Sequence, residues 1–225
     1  MAEASVLVVD VEGYGDPHRD DAAQGRVRAA LRKVLREGFA AASVPWDACV
    51  RQDQGDGVLF VIPGDVPVTR LAVSLVGWLG ASLADHNRGA ELTDRFRLRL
   101  ALHRGEVGRD EDGLVGRTVV HTARLLDAAP LRTALRHARS DLVAIVSDEV
   151  HGQVGDLAVF HPVVVEVKKT RAPAWISVHG GEVPVTSSPQ PSPQPTPSGG
   201  IHITGTARGH RSTGVRIDHF GPPTG

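Results

Sequence analysis

The apolar positions along this chain change period several times, and each change marks an element. Residues 5–11, SVLVVDV, form a nearly continuous apolar run with one acid, Asp10. Such a run predicts a buried central strand. Residues 22–42 place Val27, Leu31, Val34, Leu35 and Phe39 at helical spacing, with Arg and Lys on the other faces. That is an amphipathic helix. DACVRQDQGDGVLFVIP reads as two strands joined by a tight turn at Gln54-Gly55-Asp56-Gly57. Residues 67–86 form a second apolar-faced helix, and RFRLRLALHRGEV alternates basic and apolar residues as a strand with one wet face does. GRTVVHTARLLDAA is helical, and Pro130 opens a further helix over PLRTALRHAR. LVAIVS is a short buried strand, followed by a short helix capped at Ser147 or Asp148. VVVEVKKTRAPAWISV supplies one or two final strands. The order is roughly β-α-β-β-α-β-α-β-α-β. It predicts a ferredoxin-like α+β fold, a central and mostly antiparallel sheet with helices packed on it.

Composition narrows this. The chain has 225 residues, 41% of them hydrophobic, enough for one full-sized core. Aromatics make up only 4%, so Ala, Val and Leu must build that core. A net charge of -1 gives no electrostatic footprint for nucleic acid. The single cysteine, Cys49, rules out an internal disulfide and a cysteine-based metal site. The first residues lack a secretory pattern, and the apolar stretch after residue 67 is broken by Arg70 and Asp85. A cytoplasmic protein without membrane contact is expected. Residues 1–180 read as the globular domain. Residues 181–200 are rich in Pro, Ser and Gln and read as a disordered linker. In residues 201–225, Ile201, Ile203, Val215 and Ile217 flank a Gly/Arg/His centre. This tail reads either as disorder or as a short β-prone motif that recruits a partner.

Three segments carry candidate chemistry: Asp10-Val-Glu-Gly13-Tyr14-Gly15, then Gly55-Asp56-Gly57, then GRTVVHTARLLD with Arg124. Carboxylates at a strand end and a neighbouring hairpin tip can converge at one sheet edge. They repel unless a cation lies between them, and Mg²⁺ takes few protein carboxylates, filling its shell with water and phosphate oxygens. A glycine turn leaves backbone amides free for an anion. An arginine can stabilise charge on a reacting phosphorus. Each feature also has an ordinary explanation: a strand-end cap, a turn residue, a solvated helix arginine. No HExxH pair and no GxxxxGK[ST] loop occurs, which removes zinc protease and P-loop chemistry.

In order, DVEGYG, QGDGVLF, ALHRGEV and VGRTVVHTARLLDA resemble the motifs of a class III nucleotidyl cyclase homology domain, especially the compact, divergent type common in actinobacteria. VSDEV and VVVEVKK fall where that family has a capped helix and a lysine-bearing final strand. The resemblance covers residues 4–180 and implies a nucleotidyl cyclase fold. It implies that Asp10 and Asp56 hold two Mg²⁺ or Mn²⁺ ions, with the Val11 carbonyl as a further ligand. Amides around Gly13, Tyr14 and Gly15 would hold the triphosphate, with Lys168, Lys169 or Arg171 on its terminal phosphates. Arg124 would be the transition-state arginine, acting across a head-to-tail homodimer.

The sequence departs from the family where substrate is read. Val120 stands in the place of a ribose-orienting asparagine, Gln52 in the place of a base-reading Lys or Glu, and Gly113 at the second base-reading position. Two functions follow. One is a metal-dependent cyclase that converts an NTP to a 3′,5′-cyclic nucleotide and pyrophosphate in signalling or defence. The other is a weak or inactive cyclase-like module that binds nucleotide or dimerises and signals through its tail.

Overall fold

The expected strand SVLVVDV lies at the centre of the sheet. In the computed structural model, which describes residues 2–111, 113–167 and 170–178, strand β1 (Ala2–Val11) is flanked on both sides. β3 (Gly57–Pro63) and β4 (Leu98–Asp110) both pair with it antiparallel. With β2 (Val50–Asp53), β6 (Leu142–Ser147), β7 (His161–Val167) and β8 (Thr170–Val178) the strand order is β2-β3-β1-β4-β6-β8-β7. Among the described residues only β4–β6 is parallel, and the remaining pairs are antiparallel. A short strand, β5 (Gly113–Val115), folds back on the end of β4 and was not expected from the apolar pattern.

Each face of the sheet carries helices. α1 (Asp21–Ala41) and α2 (Val76–Gly89) pack on one face, where Leu7, Val9, Leu31, Phe39, Phe60, Leu79 and Leu100 form the larger core. α1 starts at Asp20, whose side chain accepts from the Ala23 amide, the ordinary work of a helix N-cap. The helix expected over 67–86 begins as a π-helical segment, Arg70–Leu75, that runs into α2. α3 (Arg117–Leu126) and α4 (Ala129–His137) cover the opposite face, over Val6, Val8, Ala101 and Ile145. α5 (Asp148–Val154) follows β6 and is capped by Ser147, which accepts from the Val150 amide. Among the described residues no helix is long and apolar enough to cross a membrane.

Burial on both faces overturns one expectation. The basic side of β4 is not wet, because α3 lies across it. The Arg99 and His103 side chains are only 16% and 13% exposed. Alternation of basic and apolar residues marks a strand correctly, but these basic groups are half-buried against partners. The linker at 181–200 and the tail at 201–225 lie outside the described residues.

Candidate active site

Asp10 is the last inward residue of β1 on the α3 side, and antiparallel pairing sets its neighbours. It stands opposite Gly57 on β3 and opposite Arg99 on β4. Asp56 therefore sits beside it at the hairpin tip, and the Val11 amide donates to the Asp56 carbonyl at 3.0 Å. The hairpin comes this close because residue 57 is glycine: a Cβ there would collide with the Val9 carbonyl oxygen. The hairpin is also held from behind. Asp53 accepts from the Gly55 amide at 2.9 Å and pairs with Arg28 and Arg32 of α1, contacts that pull its carboxyl well below the usual range.

Electrostatically this edge gathers three acids, Asp10, Asp56 and Asp127, around the guanidinium of Arg99. Burial, more than any other cause, pushes the Asp10 carboxyl above its ordinary value, and the charges of Asp56 and Asp127 push the same way. Arg99 opposes them. Its guanidinium grips Asp10 in a two-point hydrogen-bonded ion pair, with Nε 3.0 Å from Oδ1. Burial outweighs that pull, so the net shift is upward. The donors here are hard carboxylate oxygens, which suit Mg²⁺ or Mn²⁺. No group of three or more His, Cys, Asp or Glu side chains among the described residues could hold a metal. An ion here would complete its shell with water and ligand oxygens, as Mg²⁺ ordinarily does.

The turn after β1 offers the opposite polarity. Gly13 is in the left-handed region at φ 61°, and the chain turns with the Asp16 amide donating to the Gly13 carbonyl at 3.1 Å. Arg19 donates to the same carbonyl at 2.9 Å. The Glu12 amide is taken by the Arg97 carbonyl. The amides of Gly13, Tyr14 and Gly15 donate to no described residue. Tyr14 anchors the turn by packing on the larger core and donating to the Gln24 carbonyl.

α3 connects this end of the sheet to the other. At its start, Thr118 Oγ1 donates to the Glu106 carbonyl at 2.7 Å, and Gly105 leaves room for it, since a Cβ there would come within 2.8 Å of that oxygen. At its far end the charge of Asp127 reaches Asp10. Arg124 lies between, in the last turn, and lines clefts on both flanks of the helix. It makes no hydrogen bond or ion pair with a described residue.

The remaining expected residues are dispersed. Val120, one turn before Arg124, is 47% exposed and apolar. Gln52 is exposed on the edge strand β2, and Gly113 turns β5 at φ 130°. Arg171 is exposed on β8 and 3.8 Å from Glu166, with β4 and β6 between its strand and β1. Lys168 and Lys169 lie outside the described residues.

Two site residues escaped the sequence reading. Arg99 was legible only as one of several basic residues on a strand; pairing register, which puts it opposite Asp10, gives it its role. Asp53 could have been found as an Asx-turn residue two positions before Gly55.

No protein-family model and no curated protein sequence matches this chain. Solved structures do. The adenylate/guanylate cyclase/hydrolase from Silicibacter pomeroyi is 18% identical and superposes with a TM-score of 0.59, over 80% of this chain and 98% of that one. The guanylate cyclase domain of RhGC from Catenaria anguillulae, in complex with GTP, is 19% identical at a TM-score of 0.53, covering 79% and 97%. A non-canonical dimeric guanylyl cyclase domain of the RhoGC fusion protein from Blastocladiella emersonii is 18% identical at 0.53, covering 81% and 98%. The described part of this chain thus has the fold of the class III nucleotidyl cyclase homology domain, in a divergent sequence.

Proposed function

We propose that the domain is a metal-dependent nucleotidyl cyclase that works as a homodimer on a nucleoside triphosphate, in the cytoplasm, for signalling or defence. The observation that carries this is the meeting of Asp10 and Asp56 at one strand end, beside three amides that donate to no described residue. Carboxylates that repel each other next to an anion cradle suit a cation-bound polyphosphate. The fold neighbours with a dimeric domain and with bound GTP support the same reading.

In this reading Asp10 and Asp56, with the Val11 carbonyl, hold two Mg²⁺ or Mn²⁺ ions. The ions supply activation of the attacking hydroxyl and neutralisation of charge along the line of displacement. The chain's own groups do the rest. Amides of residues 13–15 hold the triphosphate, with Lys168, Lys169 or Arg171 on its terminal phosphates. Arg99 holds the Asp10 carboxylate in place through its two-point ion pair. Arg124 stabilises charge on the reacting phosphorus, from the partner chain. The nucleotide 3′-oxygen bonds to the α-phosphorus as the bond to the bridging oxygen breaks. Pyrophosphate leaves, and the hydroxyl proton passes to solvent.

A second reading has its own support. Val120 is exposed and cannot hydrogen-bond, Gln52 sits on an exposed edge, and Gly113 has no side chain. Those features fit a module that binds nucleotide or dimerises without efficient turnover and signals through residues 201–225. Incubation of the full chain with each of the four NTPs and Mg²⁺ or Mn²⁺ separates the readings. Cyclic product with stoichiometric pyrophosphate supports the enzyme. Nucleotide binding without product supports the module.

A further inference from the structure

A cleft of about 1060 Å³ opens between the end of α2, the segment 90–97 that leads into β4, and residues 12–19. Asp10, Asp56, Arg99 and Arg124 do not line it, and neither do Tyr14 and Gly15. Of the residues given to the metal and triphosphate, the cleft shares Gly13 alone.

Its wall is firmly held. Asn87 of α2 donates to the Phe96 carbonyl at 2.8 Å and accepts from the Phe96 amide at 3.2 Å. Arg26 of α1 grips Asp94 through two bonds, of 2.8 and 2.9 Å. Arg19 donates to the Arg95 carbonyl at 2.7 Å. Segment 90–97 is thus fixed from α1, from α2 and from the residues before α1, so what it presents to the cleft is preorganised.

Most charges around the cleft are already matched. Glu12 faces Arg97 at 3.5 Å, Arg88 meets Asp85 at 2.5 Å, and Asp16 accepts from the His18 amide at 2.9 Å. Two are not. Arg95 spends its Nε on the Ala90 carbonyl, 3.1 Å away, and neither of its terminal nitrogens donates to a described residue. The half-buried Asp141 holds the Leu98 amide with its backbone carbonyl at 2.7 Å, while its carboxylate has no hydrogen bond or ion pair among the described residues. Leu92, 81% exposed, and Ala84 add apolar surface to the same cleft. A guanidinium fork suits a carboxylate, a carboxylate suits an ammonium, and an apolar wall suits hydrocarbon.

We propose that this cleft binds a zwitterion with an apolar body, a free α-amino acid or a short peptide, with Arg95 on its carboxylate, Asp141 on its ammonium, and Leu92 and Ala84 against its hydrocarbon. The site stands or falls independently of the cyclase reading.

The test is a calorimetric titration of the full chain with L-leucine, with leucinamide, which lacks the carboxylate, and with N-acetyl-leucine, which lacks the ammonium. L-Leucine is expected to bind, and each capped form to bind at least about tenfold more weakly, the worth of a hydrogen bond to a charged group. Arg95→Gln should weaken L-leucine about tenfold and leave leucinamide unchanged. Asp141→Asn should weaken L-leucine by a similar factor and leave N-acetyl-leucine unchanged. The dipeptide Leu-Leu, with its own amide and N-acetyl forms, should follow the same pattern. Tighter binding of the dipeptide assigns the site to peptides, and tighter binding of L-leucine assigns it to free amino acids. No heat from either zwitterion at millimolar concentration would overturn the proposal, and so would variants that weaken the zwitterion and both capped forms equally.

Discussion

Arg99 and Asp10 form the least exposed ion pair of the site, with side chains 16% and 13% exposed. Removing one partner of such a pair leaves a charge in a poorly solvated place. Arg99→Gln is expected to cost about 2–3 kcal/mol of stability, less than for a fully buried pair, since water still reaches both groups. Saturating Mn²⁺ should return part of that loss, because the ion supplies the missing positive charge; thermal melts with and without metal check it. If Mn²⁺ stabilises the variant no more than the wild type, Asp10 is not a metal ligand. Asp56→Ala, which removes the like charge beside Asp10, should abolish cyclic product while leaving the fold intact, as read by product assay and circular dichroism.

At the scale of elements, close approaches hold the site together. Gly57 brings the hairpin against β1, so Gly57→Ala should destabilise by about 2–4 kcal/mol in denaturant titration. Gly152 of α5 has open space around its Cα, so Gly152→Ala should stabilise by up to about 1 kcal/mol through helix propensity. The histidine cluster joining β4, α3 and α5 sets a pH window. His103 is held at about 4, below its ordinary 6.5, and His121 is shifted in the same direction. Between those values the unfolded chain takes up protons that the folded chain refuses. Stability is then full above about pH 6.5 and falls as the pH drops towards 4. Glu149, also lowered and facing both rings, adds to the loss at the acid end, while Arg124 disfavours protonation of His121. Melting temperatures from pH 4 to 7.5 should show this slope, and His103→Phe should flatten it.

The same scale explains what could be read from sequence. β1, α1 and α3 are legible from their apolar periods, and the hairpin from its glycine-bearing turn at Gln54-Gly55-Asp56-Gly57. Asp10, Asp56 and Arg124 were legible as types at strand ends, turns and helix faces. The partners of Asp10 were not, because residues 10 and 99 meet only through strand register, which no local period encodes. β5 was missed because three residues are too few to show alternation. The half-buried basic face of β4 reads as wet because Arg and His satisfied by partners look, in sequence, like Arg and His facing water.

For the whole molecule, the cyclase reading divides each active site between two chains, with Asp10 and Asp56 from one and Arg124 from the other. Asp56→Ala and Arg124→Ala should each be inactive alone. Mixed after exchange of subunits, half of the dimers carry one variant of each kind, and each such dimer has one intact site. The mixture should regain about a quarter of wild-type sites under random pairing. The most direct measurement is a mass-spectrometric assay of cyclic nucleotide and pyrophosphate made by wild type, by each variant and by the mixture, across all four NTPs. The expected result is equimolar cyclic product and pyrophosphate from wild type, none from either variant, and restored product on mixing. No cyclic product from wild type with any NTP, in either metal and with the chain dimeric, would contradict the account.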